Sequence, residues 1–355
     1  MKVIAIIPQG LESEGANELG ELGATEIKVF LRSVSFEVDL ASFYRIHFFA
    51  RLPFRFLREI AQFPCHGPET LYDGVQRACD WKEWLEPSKS FYVEVSGRSI
   101  NLPHSHFTAL QVKNALIDLQ RKIWGTRSSI NLEDPDFCIH LHLTNDNAAL
   151  SFSSTRRSLH RRGYRPLMGK APLKENIAAG LIQITKWNYS LPLVDPLCGS
   201  GTFLIEAATI SLGLPPRIDR SFLFQSWPDF SLEIWESEQA KVNRSIDTSL
   251  KVPKIIGCEE NYEIYIQAKS NISLAGLDDV IEIHHCSFKE LLLPSQLGVI
   301  VCNPPYGKRI GVEEKLYQLY EELGNFLKAN ASGWQFWLLS GNPNLSRALH
   351  MKCIK

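Results

Sequence analysis

The spacing of apolar and polar positions changes several times along the chain, and each change predicts an element. Lys2–Ile7 is a short apolar run that reads as a strand. In LESEGANELGELG, Leu11, Ala16, Leu19 and Leu22 fall near helical spacing, and IKVFLRSVSFEVD then alternates with period two. These pieces form a first α+β segment, residues 1–43. From about Tyr44, HFFARLPFRFLREIAQF mixes aromatics with arginines, LYDGVQRACDWKEWL is helical, FYVEVSG is a strand, and SHFTALQVKNALIDLQRKIWG is a long amphipathic helix. DFCIHLHLTNDNAALSFSS reads as a hairpin turning at Asn145-Asp146-Asn147. In its first strand Phe137, Ile139, Leu141 and Leu143 share one face, and Cys138, His140 and His142 the other. Residues 44–155 make a second α+β unit.

A different pattern begins after residue 175. LPLVD, IIGCE, IEIHH, LGVIVC and GWQFWLLSG are apolar enough to be buried on both faces, with helical stretches between them. Such alternation predicts a parallel, doubly wound α/β sheet over residues 176–355. Ligands of these sheets bind beyond the carboxyl ends of the strands.

With 355 residues there is room for two or three domains at roughly 100–200 residues each. Hydrophobic residues at 45% and charged residues at 22% exclude a disordered chain. Lys and Arg total 38 against 39 Asp and Glu, so the net charge of −1 leaves no whole-molecule footprint for nucleic acid. The local distribution changes that picture. Arg156–Lys174, RRSLHRRGYRPLMGKAPLK, holds seven Lys or Arg and no carboxylate. This linker, residues 156–175, predicts phosphate contact and stacking through Arg156, Arg157, Arg161, Arg162, Tyr164, Arg165 and Lys170. The eight cysteines form no C-x-x-C pair, which signals neither a zinc site nor a disulfide framework and fits a reducing cytoplasm. His140 and His142 read as polar sheet positions, and no metal is expected. No apolar stretch approaches the roughly 18 residues of a membrane span, and Val3–Ile7 is too short for a signal-peptide core.

Chemistry concentrates in two loops. DPLCGSGTFLIE puts Asp195 at a strand end and Gly199 and Gly201 in the turn into a helix, where glycines let backbone N–H groups approach a polar ligand. A P-loop would need Gly-Lys-Ser/Thr, and a dinucleotide loop a third glycine where Leu204 stands, so ATP and NAD fit poorly. Glu259 closes the next strand, where a carboxylate can accept from both ribose hydroxyls. An insertion, about Pro215 to Leu250, separates the two, and its Trp227, Phe230 and Trp235 read as small-core residues. Together Asp195, the loop and Glu259 suggest a ribose-containing ligand such as S-adenosylmethionine. Asn303-Pro304-Pro305-Tyr306 follows a buried strand. Prolines have no N–H, so this turn is rich in acceptors. The Asn303 side-chain oxygen and the Pro304 carbonyl can hold both hydrogens of an exocyclic base amine, with Tyr306 stacked on the ring, and so catalyse by orientation.

DPLCGSGT followed by NPPYG resembles the Rossmann-like S-adenosylmethionine-dependent amino-methyltransferases. The whole chain resembles the THUMP-containing RNA guanine-N2 methyltransferases, especially the N-terminal methylase half of the bacterial 23S rRNA enzyme. PQGLESEGANELGELGA, DWKEWLEPSKSFYVEVSG, FTALQVKNALID, LHRRGYRPLMGKAPLKENIAAGLI and FQSWPDF carry that likeness. It implies a ferredoxin-like start over 1–43, a THUMP-like RNA-binding domain over 44–155, and a class I methyltransferase domain over 176–355. It further implies that Asp195, Pro196, Cys198, Gly199, Ser200, Gly201 and Thr202 line the methionine end of S-adenosyl-L-methionine and Glu259 its ribose. Asn303, Pro304, Pro305 and Tyr306 would hold the target amine, and Pro172, Leu173 and Glu175 would close the pocket.

There are two departures. The family usually places an aspartate against the adenine amine, and here that position is Ser287, which can still accept one hydrogen bond. The terminal β-hairpin with an Asn-Gly turn is not reached before Lys355, so the sheet is expected to be short at one edge or the chain to be a fragment. The expected activity is methyl transfer to the N2 amine of a guanine in large-subunit rRNA during assembly, in the cytoplasm. Methylation of tRNA guanine N2 or DNA adenine N6 is the alternative within the same chemistry, and a catalytically silent RNA-binding assembly factor the alternative outside it.

Overall fold

A computed structural model of the chain describes residues 1–165, 173–216, 221–245, 254–306 and 313–354. Two compact units emerge, Met1–His160 with Arg217–Lys241, and Arg161–Pro216 with Val242–Lys355.

The first unit is built on strands β1 (Lys2–Ile6), β2 (Thr25–Phe30), β3 (Ser33–Glu37), β4 (Arg55–Pro64), β5 (Phe91–Arg98), β6 (Phe137–Thr144) and β7 (Asn147–Ser153). They form one sheet in the order β2-β3-β1-β4-β7-β6-β5, with β5 and β6 parallel and the other neighbours antiparallel. The period-two run IKVFLRSVSFEVD is a hairpin, not one strand: Arg32 takes φ +61° between β2 and β3. Alternation continues through a tight turn, so the pattern alone cannot mark the break. Helices α1 (Glu12–Glu21), α2 (Leu40–Phe49), α3 (Pro68–Gln76), α4 (Trp81–Trp84) and α5 (Ser105–Trp124) connect these strands. The amphipathic reading of α5 holds; Val112, Ala115, Leu116 and Gln120 are buried, and Gly125 ends the helix in the left-handed region at φ +71°.

The interior position of β6 changes the expected division of its faces. Cys138 and His140 are buried along with Phe137, Ile139 and Leu141, while His142 is exposed. Ser96 Oγ lies 3.0 Å from His140 Nε2 and 2.8 Å from His142 Nδ1. Burial pushes the His140 pKa down to about 3, so this imidazole stays neutral.

Residues of the insertion complete this unit's core. Phe224 stacks on Tyr44 with centroids 5.2 Å apart, Trp235 stacks on Phe48 at 4.3 Å, and Phe224 meets Phe43 edge-on at 5.2 Å. Polar ties fix the arrangement: Leu223 N donates to Ser154 O at 3.0 Å, Ser231 N to the Tyr44 hydroxyl at 3.0 Å, and Arg45 Nε pairs with Glu238 at 3.0 Å. The aromatics are core residues, as their composition suggested, but much of the core they enter belongs to α2, which precedes them by more than a hundred positions.

The second unit holds β8 (Leu193–Asp195), β9 (Ile255–Cys258), β10 (Ile281–His284), β11 (Val299–Cys302) and β12 (Gln335–Leu338), all parallel, in the order β10-β9-β8-β11-β12. Successive strand residues feed two separate cores, as a doubly wound sheet requires. Leu193, Ile255 and Val299 pack with α6 (Glu175–Thr185) and α7 (Thr202–Ser211), whereas Val194, Ile256 and Ile300 pack with Tyr320 and Leu323. Gly257 lets α7 approach β9: a Cβ there would lie 2.4 Å from Leu204 Cδ1.

If the insertion is core to the first unit, Phe224→Ala should cost about 3–5 kcal/mol of its stability. Urea unfolding monitored by near-UV circular dichroism would measure this, and a loss under 1 kcal/mol would mean the aromatic cluster is peripheral.

Candidate active site

Parallel pairing puts the carboxyl ends of β10, β9, β8 and β11 side by side, roughly 4.8 Å apart per strand. Ser287, Glu259, Asp195 with its glycine loop, and Asn303 follow those four ends in that order. Residues far apart in sequence are thus gathered on one edge by strand direction alone.

Asp195 closes β8 and is fully buried, with Oδ1 accepting from Leu197 N at 3.1 Å. Burial pushes its pKa up to about 8, an effect that the Leu197 hydrogen bond opposes and the Glu259 charge reinforces. After it the chain turns through Pro196, Cys198, Gly199, Ser200 and Gly201, with φ +53° at Gly199 and +81° at Gly201. The loop is held on three sides. Cys198 N donates to Cys258 O at 3.0 Å, Cys258 Sγ donates to Pro196 O at 3.1 Å, and the Asn271 amide donates to Ser200 O at 3.0 Å. Asn271 lies on α9 (Tyr262–Leu274). Glu259 reaches across from β9 to accept from Gly199 N at 3.2 Å with one oxygen and from Asn261 N at 2.9 Å with the other. A Cβ added at Gly199 would meet nothing within 4 Å, so the loop faces open space. Each Glu259 oxygen keeps a lone pair beyond its backbone donor. A loop open at Gly199, flanked by acceptors at Asp195 and Glu259, fits an adenosine-type cofactor with a cationic tail.

Asn303 follows β11, Pro304 is buried, and Pro305 and Tyr306 are exposed. Asn303 Oδ1 is buried and has no hydrogen-bond partner among the described residues. Tyr306 is 41% exposed, with its ring against Gly341, where a Cβ would lie 2.8 Å from ring carbons. Ser287 is partly exposed at the start of the short 3-10 turn Phe288–Glu290.

The basic linker departs from expectation. Arg156 and Arg157 of the first unit and Arg161 of the second are exposed, as a phosphate contact requires, although Arg156 pairs with Asp134. Arg162, Tyr164 and Arg165 are not available to RNA, being only 3%, 8% and 7% exposed. Arg162 Nε sits 3.6 Å from Glu206, and the Tyr164 hydroxyl donates to Glu206 at 3.0 Å. Arg165 pairs with Glu175 at 3.1 Å and donates to Leu173 O at 3.0 Å and Thr202 Oγ1 at 2.7 Å. Burial pushes the Glu175 carboxyl up, and the Arg165 guanidinium draws it back down. A buried cation must be paired, and the partners stand on apolar helices: Glu206 in TFLIEAATIS and Glu175 before IAAGLI. Those lone acids in apolar surroundings were the available signal. Lys170 and Pro172 lie outside the described residues. Asn271, Gly341 and the Arg165 contacts had no motif to announce them.

Three family models match the chain: an RMKL-like methyltransferase domain over residues 162–355, a THUMP domain over 68–153, and an RlmL ferredoxin-like domain over 2–57. A Synechocystis sp. protein provisionally named an RNA methyltransferase, slr0064, is 41% identical across 98% of this chain and 90% of its own. A ribosomal RNA large subunit methyltransferase K/L from Syntrophotalea carbinolica is 36% identical across all of this chain and 51% of its own, so the chain spans about half the length of that relative. The crystal structure of SMU.472, complexed with SAH, superimposes with a TM-score of 0.90 at 27% identity, covering 100% of this chain and 93% of that one.

Burial holds Asp195 near pH 8 in the folded chain, while an unfolded aspartate titrates at about 4. Folding therefore takes up a proton between those values, and stability falls as pH rises through that window. The melting temperature of Asp195→Asn relative to the parent should climb from about pH 4 to about pH 8 and then level off. A difference that does not vary with pH would refute the buried carboxyl.

Proposed function

The chain belongs to the RMKL-like methyltransferase family, and on that premise we propose that it transfers a methyl group from S-adenosyl-L-methionine to the N2 amine of a guanine in 23S ribosomal RNA. The observation that carries this reading is the buried Asn303 Oδ1, which has no hydrogen-bond partner among the described residues and stands one strand away from the glycine loop. A buried acceptor without a donor costs about 1–3 kcal/mol, and a substrate N–H would supply the missing bond.

When bound, S-adenosyl-L-methionine supplies an activated methyl group. Asp195 and the loop from Pro196 to Thr202 hold its amino-acid end, Glu259 accepts from the ribose hydroxyls, and Ser287 meets the adenine edge. Leu173 and Glu175 would close the pocket from the N-terminal side. Asn303 Oδ1 and the Pro304 carbonyl accept the two amine hydrogens and fix the nitrogen's direction, while Tyr306 stacks on the extruded guanine. No strong base is required, because orienting the amine's lone pair is the difficult part. The THUMP match supports RNA as the partner, and the exposed Arg156, Arg157 and Arg161 support phosphate contact. We propose that the chain engages this RNA during large-subunit assembly, in the cytoplasm. SAH in a structural neighbour supports the cofactor.

Purified protein with labelled cofactor should methylate unmodified 23S rRNA and yield N2-methylguanosine on nucleoside analysis. Asn303→Ala should lower turnover about a hundredfold with cofactor affinity retained. Label confined to tRNA or to DNA adenine would overturn the substrate, and unchanged turnover in the variant would overturn the mechanism. Arg157→Ala should weaken RNA binding and reduce the slope of log affinity against log salt by about 0.7–0.9. An unchanged slope would remove Arg157 from the RNA contact.

A further inference from the structure

Glycine often marks a turn that other residues cannot make, and Gly341 is not of that kind. Its φ lies outside the left-handed region that Gly199 and Gly201 occupy, so its backbone would take a side chain without that strain. What it has no room for is the side chain's volume. The three heavy atoms nearest to an added Cβ all belong to Tyr306: Cδ2 and Cε2 at 2.8 Å and Cζ at 3.5 Å. These distances put the Cβ over the face of the ring, because an approach within the ring plane would leave Cζ much further off. Tyr306 therefore has one face backed by the bare backbone of residue 341 and, at 41% exposure, keeps open area beyond it.

The backing segment is tied down. Leu339 N donates to Cys302 O at 2.9 Å, which joins it to the residue before Asn303. Ser340 Oγ donates to Asn342 O at 3.1 Å and accepts from Asn342 N at 3.2 Å, and Asn342 Oδ1 accepts from Asn344 N at 3.0 Å. Between this fixed backbone and a side chain free to turn about its χ angles, the ring is the partner that yields.

We propose that Gly341 is a positioning residue that backs Tyr306, so that the target base stacks on one face only, the face turned away from residue 341. The inference rests on the reading of Tyr306 as the surface on which the extruded guanine stacks. The missing side chain sets the depth of the base pocket. Ordinary contact between carbons is about 3.5–4.0 Å, so a Cβ at 341 would push the ring roughly 1 Å toward the base. A base held through its amine by Asn303 and Pro304 cannot retreat by the same amount and keep its lone pair aimed at the transferred methyl. Misplacement by about 1 Å can cost on the order of a hundredfold in rate.

Turnover of unmodified 23S rRNA with labelled cofactor by the full chain tests this through a double-mutant cycle. Gly341→Ala should lower kcat about tenfold or more, with KM for the RNA and calorimetric affinity for S-adenosylhomocysteine each within about twofold. Gly341→Ser, whose Cβ meets the same ring, should reproduce that result. Tyr306→Ala should also lower kcat, and adding Gly341→Ala to it should cost nothing further, because no ring remains to be displaced. A segment that merely folds less well would show the same loss in both backgrounds, and that result would overturn the proposal. Parent-like kcat in Gly341→Ala and Gly341→Ser would overturn it too, with the stacking role left standing. Parent-like kcat in Tyr306→Ala would overturn the stacking role and the backing with it, and absence of methylation by the unmodified chain would overturn the proposed function and this inference together.

Discussion

Parallel pairing of β8 between β9 and β11 is the constraint on which the site depends. Parallel strands must be rejoined by crossovers, so every strand end in this sheet emerges on the same edge and every helix is pushed onto a face. That geometry is why an aspartate, a glutamate, a serine and an asparagine separated by dozens of residues can serve one ligand. It also explains why the loop after β8 is so firmly tied: Glu259 from the neighbouring strand supplies an acceptor for Gly199, and Asn271 from α9 holds Ser200. The sheet provides the direction, and these hydrogen bonds provide the precision.

Burial of charge is the second organising force. Two arginines of the most basic segment are turned inward, each against a carboxylate on an apolar helix. Removing one member of such a pair leaves an uncompensated charge, so these residues constrain the fold whatever they contribute to net stability. Asp195 is the opposite case, a buried carboxyl that, among the described residues, accepts one hydrogen bond and meets no cation. Its raised pKa is the physical record of that missing partner, which a ligand with a cationic tail would supply.

In the first unit, aromatic packing overrides sequence order. Tyr44, Phe43 and Phe48 on α2 would present a large apolar surface to water without Phe222, Phe224, Trp227 and Trp235 from the insertion. A segment that interrupts the methylase motifs is thereby a core component of a unit that ends, in the main chain run, at residue 160.

Much of this was legible beforehand. The five apolar strands, the long helix Ser105–Trp124, the hairpin at Asn145 and the two motif loops follow from local periodicity and turn chemistry, which depend on near neighbours and so are written in the order of residues. Likewise the residues at 195, 199, 201, 259 and 303 were readable as candidates, because each proposed role needs a specific side chain or its absence. The inward turn of Arg162 and Arg165, the burial of His140 and the destination of the insertion were not. Each depends on what a residue meets across the fold, and a run of arginines looks the same whether its carboxylates are in solvent or behind it. Sequence alone determined which groups are present and which elements carry them; tertiary structure decided which charges face water, because only packing fixes the distance between a cation and its counterion.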